Sequence, residues 1–554
     1  MGDAGTFDYI IIGAGSAGCV LADRLSADGQ HTVLGLEYGG SDRSVFIQTP
    51  SALSIPMSTS KYNSQYESEE EPGLGGRRML TPRGKGLGGS SSIDGLLYVR
   101  GNPFNFELWQ TQGAQGWGYA NVLPYFRRAE RRAEGGDEYR GGAGSLDTTY
   151  GPMKNPLYQA WIDAAAQAGY SVTKDINGAQ QEGFGRMDMT VRDGARCSAA
   201  KAFLRPAMGR PNFTVITHAR ANRVVMEGRR AVNIAYERGD QRYEARAGRE
   251  VILAGGPINS SQLLKLSGVG PAAELRQHGI AVIAERPGVG ANLQDHLEFY
   301  FQIACKRPVT LYPYMNWLAK GAIGAQWLLT RRGLGATNHF ESCGFIRSRA
   351  GIRYPDIQYP FFPLAVRYDG HWMVEGHGFQ AHVSPMRSKN LGSVTLRSSD
   401  PRAKPVIRFN YMSHPDDWTE MRAEVRLTRE IFAQAAFDPY RGQEIAPSPQ
   451  ITSDGAIDEF IRENVESGYH PCGTCKMSNR DDPMAVVDSE LRVIGVGGLR
   501  VVDSSVMPSI TAGNLNAPTF MIGEKGADHI LGKPLLAASN APFYVAPNWE
   551  TSQR

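Results

Sequence analysis

The chain of 554 residues is poor in cysteine, with six that stand apart at Cys19, Cys197, Cys305, Cys343, Cys472 and Cys475. So thin a set is no disulfide framework at this size, and reduced thiols are expected. The one close pair, Cys472 and Cys475, has no second pair beside it, so no metal centre is expected. Net charge is also lacking. The 59 basic and 56 acidic residues leave only +3, which provides no field to gather nucleic acid or an anionic membrane. No apolar stretch approaches the ~20 residues of a membrane span, and the N-terminus has no basic and apolar leader. The expectation is a soluble cytoplasmic protein, with peripheral membrane contact left open. There is no repeat and no low-complexity tract. The length itself exceeds one simple core and implies two or more domains.

What is present begins at Phe7. The apolar run Tyr9-Ile10-Ile11-Ile12 leads into Gly13-Ala14-Gly15-Ser16-Ala17-Gly18, and Ala17, Val20, Leu21 and Leu25 then recur at helical spacing. This reads as strand, turn and helix. In the GxGxxG spacing Gly13 makes the turn, Gly15 lets a pyrophosphate approach the backbone, and Gly18 lets helix and strand pack closely. The helix then presents free amide hydrogens to the phosphates. A second apolar run from His31 to Leu36 ends at Glu37, where a carboxylate can accept from ribose hydroxyls. Together these residues point to a dinucleotide bearing ADP.

A second dense signal runs from Arg83 to Gly95, with Gly84, Gly86, Gly88, Gly89 and Ser90, Ser91, Ser92 ahead of Ile93 and Asp94. Such a run cannot build a core, but it can lay amides and hydroxyls against a flat or anionic ligand. The stretches Gly39 to Ser44 and Glu67 to Glu71 read as solvated loops. Tyr119 to Ala133 and Asp416 to Ala435 have helical character, Phe213 to Val225 and Val251 to Ala254 read as strands, and the character changes between about 300 and 455 to alternating strands. That middle stretch is expected to be a separate domain facing the substrate.

Taken together, these motifs resemble the glucose-methanol-choline family of FAD-dependent oxidoreductases. Gly13 to Gly18 with Glu37 looks like its ADP site, Gly84 to Asp94 is similar to its first signature, and Gly256 to Gly270 matches its second. The resemblance runs from about Phe7 to Ile530. The stretches Pro287 to His296, Gly376 to Ser388 and Tyr469 to Met477 are most similar to bacterial choline dehydrogenases. The resemblance implies an α/β fold in which a discontinuous Rossmann-type FAD domain, residues 1–155, 196–300 and 455–554, is joined to a substrate domain with an antiparallel sheet, residues 156–195 and 301–454. It further implies that Gly13, Gly15, Ser16, Gly18, Glu37, Gly88, Gly89, Ser90, Ile93, Asp94, Val224, Asp503 and Asn516 serve FAD.

The mechanism that the resemblance implies also agrees with residue chemistry. Alcohol oxidation removes a proton from the hydroxyl and a hydride from the neighbouring carbon, so one group must manage the proton while the flavin takes the hydride. His470 fits the first role, since an imidazole titrates near working pH. Asn516 is read as its carboxamide partner, able to position the oxygen by hydrogen bonding. Other histidines keep structural readings, although His339 and His371 lie in segments that could line the substrate side. Four departures stand out. Ile93 occupies the position of the histidine that binds flavin covalently in choline oxidases, so FAD is expected without a covalent link. Asp94 replaces the usual asparagine, and Tyr38 the usual small residue after the ribose acid. Ser64 stands where many relatives have a tryptophan in the active-site wall.

Glu341 matches the family's ammonium-binding glutamate, while the missing tryptophan at Ser64 removes a cation-π wall. The sequence therefore favours a bulky primary alcohol slightly over choline, with choline dehydrogenation as the alternative and an FAD-containing cyanohydrin lyase more remote. A small-molecule alcohol and an external electron acceptor, whether quinone, carrier or oxygen, are the expected partners.

Overall fold

The computed structural model describes residues 2–367 and 376–554. His371 therefore lies outside the described residues. Two seven-stranded sheets dominate, each with its own apolar core.

The first sheet is centred on the strand Gly2–Ile12, whose last four residues are buried as a wholly apolar run. Burial on both faces suits a strand between parallel neighbours. Val33–Leu36 pairs parallel on one side, with Tyr9 opposite Val33 and Ile12 opposite Leu36. On the other side runs Gln241–Leu253, with Ile12 opposite Leu253. Phe213–Ile216 extends the sheet beyond Val33–Leu36, and Leu499–Val501 lies parallel to Val251–Leu253. The first half of Gln241–Leu253 turns back through an antiparallel meander with Arg230–Arg238 and Ala219–Glu227. The single strand expected from Phe213 to Val225 is thus two, broken at His218, which takes a φ of 57°. The helices Ser16–Leu25 and Asn516–Leu531 pack together on this sheet. Gly523 permits the approach, because a Cβ there would lie 3.2 Å from the Ala17 Cα.

The second sheet is antiparallel throughout. Its order is Arg441–Ala446, Leu297–Cys305, Gly378–Pro385, Ile357–Phe362, Ser342–Ile346 and Gly183–Arg186, with Glu466–Ser467 paired to the start of Leu297–Cys305. The helices Pro156–Gln167 and Pro415–Phe432 cover it. Trp161 sits among Phe184, Phe361 and Phe432, with ring centroids 4.9 to 5.4 Å apart. Strand Leu297–Cys305 runs across the domain boundary expected at 300, and Glu466–Ser467 joins this sheet from beyond 454.

The stretch Glu67 to Glu71 is solvated only in part: Glu67 and Glu70 are exposed, but its last residue is not. Glu71 is fully buried and accepts the backbone N–H groups of Phe409 and Tyr411 at 2.8 and 3.1 Å. Two chain turns separated by more than 330 residues meet there, which a local charge pattern does not reveal. The helix Pro103–Thr111 begins in a capping box between Asn102 and Asn105, the reciprocal arrangement that satisfies first-turn amides.

A buried ionic network surrounds the small sheet of Glu130–Arg132, Leu146–Tyr150 and Asp188–Met189. The Arg140 guanidinium, fully enclosed, reaches Glu130 and Asp175 at 2.6 Å and Asp188 at 3.0 Å, and Arg100 meets Glu130 at 2.5 Å. Burial alone would raise the Glu130 pKa, but Arg100 and Arg140 overcome it and hold the carboxyl at about 2, against an ordinary 4.5. Because this pKa is depressed on folding, its contribution to stability is complete above about pH 4.5 and is lost as the pH falls toward 2. Arg140→Ala strands three buried or half-buried carboxylates and should cost about 3–5 kcal/mol at neutral pH. Urea unfolding of the holoprotein, repeated from pH 7 down to 3, should show this deficit shrinking in acid. An unchanged midpoint at pH 7 would show the network to be dispensable.

Candidate active site

One cavity of about 550 Å³ runs from the glycine turn after the first strand to the edge of the second sheet. Its nucleotide end is built by local geometry. A Cβ on Gly18 would lie 2.0 Å from the Gly13 carbonyl oxygen, so only glycine lets the helix sit this close to the strand. Gly15 faces the cavity, and its Cβ position meets nothing nearer than 3.9 Å. The helix Ser16–Leu25 has no side-chain cap, which leaves first-turn N–H groups for a ligand. Glu37 accepts from the backbone of Ala14, Gly39 and Gly86 at 2.9, 2.7 and 3.0 Å. Burial raises its pKa while these amides oppose the rise. Tyr38 lies at the cavity rim under Lys85 and Arg220 rather than closing it.

The residues expected at the cofactor divide into two groups. Gly13, Gly15, Ser16, Glu37, Gly89, Ser90, Ile93, Asp94, Asp503 and Asn516 line the cavity. Gly18 and Gly88 do not line it. Gly88 instead donates its N–H to the Ala14 carbonyl at 2.8 Å, tying the second glycine run to the first. Val224 is also displaced from the expected place: it is buried in its strand and donates its N–H to Ser267 Oγ at 2.8 Å, while Ala221 lines the cavity. Three residues along a strand change both the face and the depth a side chain reaches.

Asp94 is not an isolated negative charge. Its carboxylate meets the buried Arg196 at 2.6 Å and accepts from Asn516 Nδ2 at 3.1 Å. Burial pushes its pKa up and Arg196 holds it down. Arg196 was not foreseen, because 102 residues separate it from Asp94 and no local pattern links them.

At the reacting end, Tyr469 and His470 face the cavity. Tyr469 has a φ of 64°, a strained turn that presents both side chains to one space. The His470 backbone N–H donates to Asp295 Oδ1 at 2.6 Å, and Asp295 Oδ2 accepts from Ser467 Oγ and Tyr411 Oη at 2.5 and 2.6 Å. Arg83 donates to the Tyr469 carbonyl.

The imidazole of His470 lies between His296, Nδ1 to Nδ1 at 3.1 Å, and the Asn514 carboxamide, at 2.9 Å from Nε2. Asn514 Oδ1 accepts from Gln358 Nε2 at 3.0 Å, so its amide nitrogen is the end that donates to His470. His470 then carries its proton on Nδ1, shared toward His296, and its Nε2 lone pair accepts from the Asn514 amide. Burial, with His296 and Arg83 nearby, pushes the His470 pKa well below the usual imidazole value, and burial takes His296 to about 3. Both rings are neutral.

The partner of His470 is therefore Asn514 and not Asn516. Asn516 opens the final helix, accepts from Ser16 Oγ at 2.7 Å and donates to Asp94. Two asparagines two residues apart look alike in sequence, but one lies in the loop and the other in the first helical turn.

Glu341 is likewise elsewhere. It is buried against Gly151, accepts from Thr337 Oγ1 at 2.9 Å and from the Met153 N–H, and does not line the cavity. A carboxylate that does line it, beside Phe340 and His382, is Glu298, one pleat into strand Leu297–Cys305, 3.5 Å from His382 Nδ1. Its neighbourhood with Asp295 and His296 was the available signal. Phe340, Pro360 and His382 line the same cavity, as does Ser64. His339 does not line it; it is half-buried, and desolvation pushes its pKa down to about 4. Cys472 and Cys475 are buried free thiols.

A glycine-rich dinucleotide turn and a neutral histidine–carboxamide pair facing the same cavity define a nucleotide-dependent oxidoreductase acting on CH–OH groups. The chain belongs to the GMC oxidoreductase family. The family's N-terminal model matches residues 7–298 and its C-terminal model residues 387–523. The chain is 57% identical over 547 residues to an oxygen-dependent choline dehydrogenase of Brucella ovis, covering 99% of this chain and all of that one. One of Sinorhizobium medicae, with the same name, is 56% identical over the same coverage. Among solved structures, pyridoxine 4-oxidase from Mesorbium loti superposes with a TM-score of 0.86 at 29% identity, covering 95% of this chain and 99% of that one. A formate oxidase variant of Aspergillus oryzae RIB40 gives 0.89 at 26%, covering 96% and 99%. FAD is the cofactor, and the residues fit it: the uncapped helix and Gly15 suit a pyrophosphate, Glu37 a ribose, and the cavity is continuous from there to His470.

Exchanging the two asparagines in turn separates their roles. Asn514→Ala should slow flavin reduction by alcohol about 10- to 100-fold with FAD retained, whereas Asn516→Ala should lower FAD occupancy. The reverse pattern would contradict the placement. Ile93 borders the cavity without a nucleophilic atom, so acid precipitation should release the yellow chromophore into the supernatant. Colour retained in the pellet would disprove non-covalent binding.

Proposed function

We propose that this chain oxidises choline, or a closely related quaternary ammonium alcohol, to the aldehyde. The observation that carries this reading is Glu298, a carboxylate on the cavity wall near His470, flanked by Phe340, Tyr469 and His382. A quaternary ammonium donates no hydrogen bond and is held by aromatic faces and a negative charge. The names of the full-length relatives support the same substrate and weigh against a cyanohydrin lyase.

FAD bound in the cavity supplies the hydride acceptor. A hydroxyl entering between Asn514 and His470 accepts from the amide nitrogen and donates to Nε2, which takes the proton. Asp295 holds the His470 backbone in place meanwhile, and His296 accepts at Nδ1 to keep the reacting tautomer. Phe340, Pro360 and Tyr469 exclude water from the carbon that loses hydride. Electrons then leave to an external acceptor, oxygen or a quinone-like carrier.

A second reading, a bulkier primary alcohol, draws on Ser64, which lines the cavity and leaves room where an indole would stand. The two are separable with Glu298→Gln. On the choline reading the substitution should lower kcat/KM for choline about 30-fold, roughly 2 kcal/mol, mostly through KM. Turnover of the uncharged tert-butyl isostere should hardly change. Equal losses on both substrates, or larger alcohols outcompeting choline in the wild type, would favour the second reading.

A further inference from the structure

The helix Trp317–Thr330 is built the wrong way round for a surface in water. Its inner contact is Trp327, buried, with Nε1 donating to the Gly194 carbonyl at 2.6 Å and the Arg331 guanidinium 3.8 Å from its ring. On a helical projection the opposite side carries Trp317, Leu318, Gly321, Ala322, Ala325, Leu328 and Leu329 within an arc of roughly 140°. No polar residue falls in that arc. Trp317 is 79% exposed, Leu318 63%, Leu328 55% and Leu329 86%. Single exposed leucines are ordinary, but a contiguous apolar face marks an interaction surface.

Charge indicates what covers it. From Phe299 to Phe340 the sequence contains no aspartate or glutamate, while Lys306, Arg307, Lys320, Arg331 and Arg332 carry positive charge. Lys320, Arg331 and Arg332 are exposed around the apolar arc. An apolar face with Trp at one end and cations at its margins is the arrangement of a helix lying in a bilayer interface, where the arc enters the acyl boundary and the cations meet anionic headgroups. The patch also extends. The turn Leu334–Ala336 packs on Pro50–Ala52, and the flanking turns expose Val45, Phe46 and Ile55, with Arg43 beside them. Leu53 and Met57 of the same segment line the cavity, so this face adjoins the wall of the active site.

We propose that the face formed by helix Trp317–Thr330 docks the protein on an anionic lipid bilayer. Among the described residues no helix is long and apolar enough to cross a membrane, so attachment is in the plane of the interface. The docking does not depend on which alcohol is oxidised.

The test is flotation of purified holoenzyme with vesicles of phosphatidylcholine alone and of phosphatidylcholine mixed with phosphatidylglycerol. Binding should be at least about tenfold stronger to the mixed vesicles and should weaken at about 0.5 M salt. The double variant Trp317→Glu, Leu329→Glu should abolish it while keeping the flavin spectrum and activity with a soluble dye, since both side chains are exposed. Arg331→Ala with Arg332→Ala should reduce binding to the mixed vesicles only. Failure to bind either vesicle, or binding that survives the double variant, would overturn the proposal. So would a dimer in light scattering that the double variant converts to monomer without lipid, which would make this face a subunit interface.

Discussion

The buried carboxylate of Asp295 sets the geometry on which the reacting end depends. It accepts from the backbone of His470 and from the side chains of Ser467 and Tyr411. Burial pushes its pKa up, and those donors with Arg83 oppose the rise. A carboxylate in this setting is tolerable only with every donor in place, so the three chain segments that supply them are held together. The adjacent strand pair, Leu297 opposite Ser467, then brings His296, Glu298 and His470 to one edge of the second sheet. The substrate wall and the base are thereby parts of a single register.

The nucleotide half of the cavity was legible in the sequence because its determinants are local. Gly13, Gly15 and Gly18 act through sterics over six residues, and Glu37 follows at the end of the adjacent strand. The substrate half depends on pairings between distant segments, and there the reading slipped. Glu341 looked like the acid of the site, but the turn at Gly151 covers it, and strand pairing brings Glu298 in its place. Asn516 looked like the partner of His470, but the helix starts at that residue and turns it toward Ser16 and Asp94, leaving Asn514 in the loop to reach the imidazole. Val224 and Ala221 differ only in position along one strand. Glu71 seemed solvated because its contacts, Phe409 and Tyr411, lie far along the chain. In each case the residue type was right and the register decided.

Asp94 illustrates how a departure from a family pattern is absorbed. A carboxylate in place of an amide brings a negative charge to the cavity wall. Arg196, fully enclosed, lies 2.6 Å away, and Asn516 donates to the other oxygen. The substitution is thus a pair rather than a point charge. Among the described residues no guanidinium pairs with Glu298, whose contacts are His382 and the Tyr300 hydroxyl; in the proposed function it is the carboxylate that faces the cationic substrate.

In the proposed reaction a cationic primary alcohol gives up its proton to His470 and its hydride to FAD in one site. The most direct measurement is anaerobic stopped-flow mixing of the holoenzyme with choline, and with choline deuterated at the carbon bearing the hydroxyl. The oxidised flavin band should bleach without oxygen, and deuteration should slow the bleaching several-fold because that C–H bond breaks in the observed step. A flavin band that stays oxidised with saturating choline and with larger primary alcohols would contradict it.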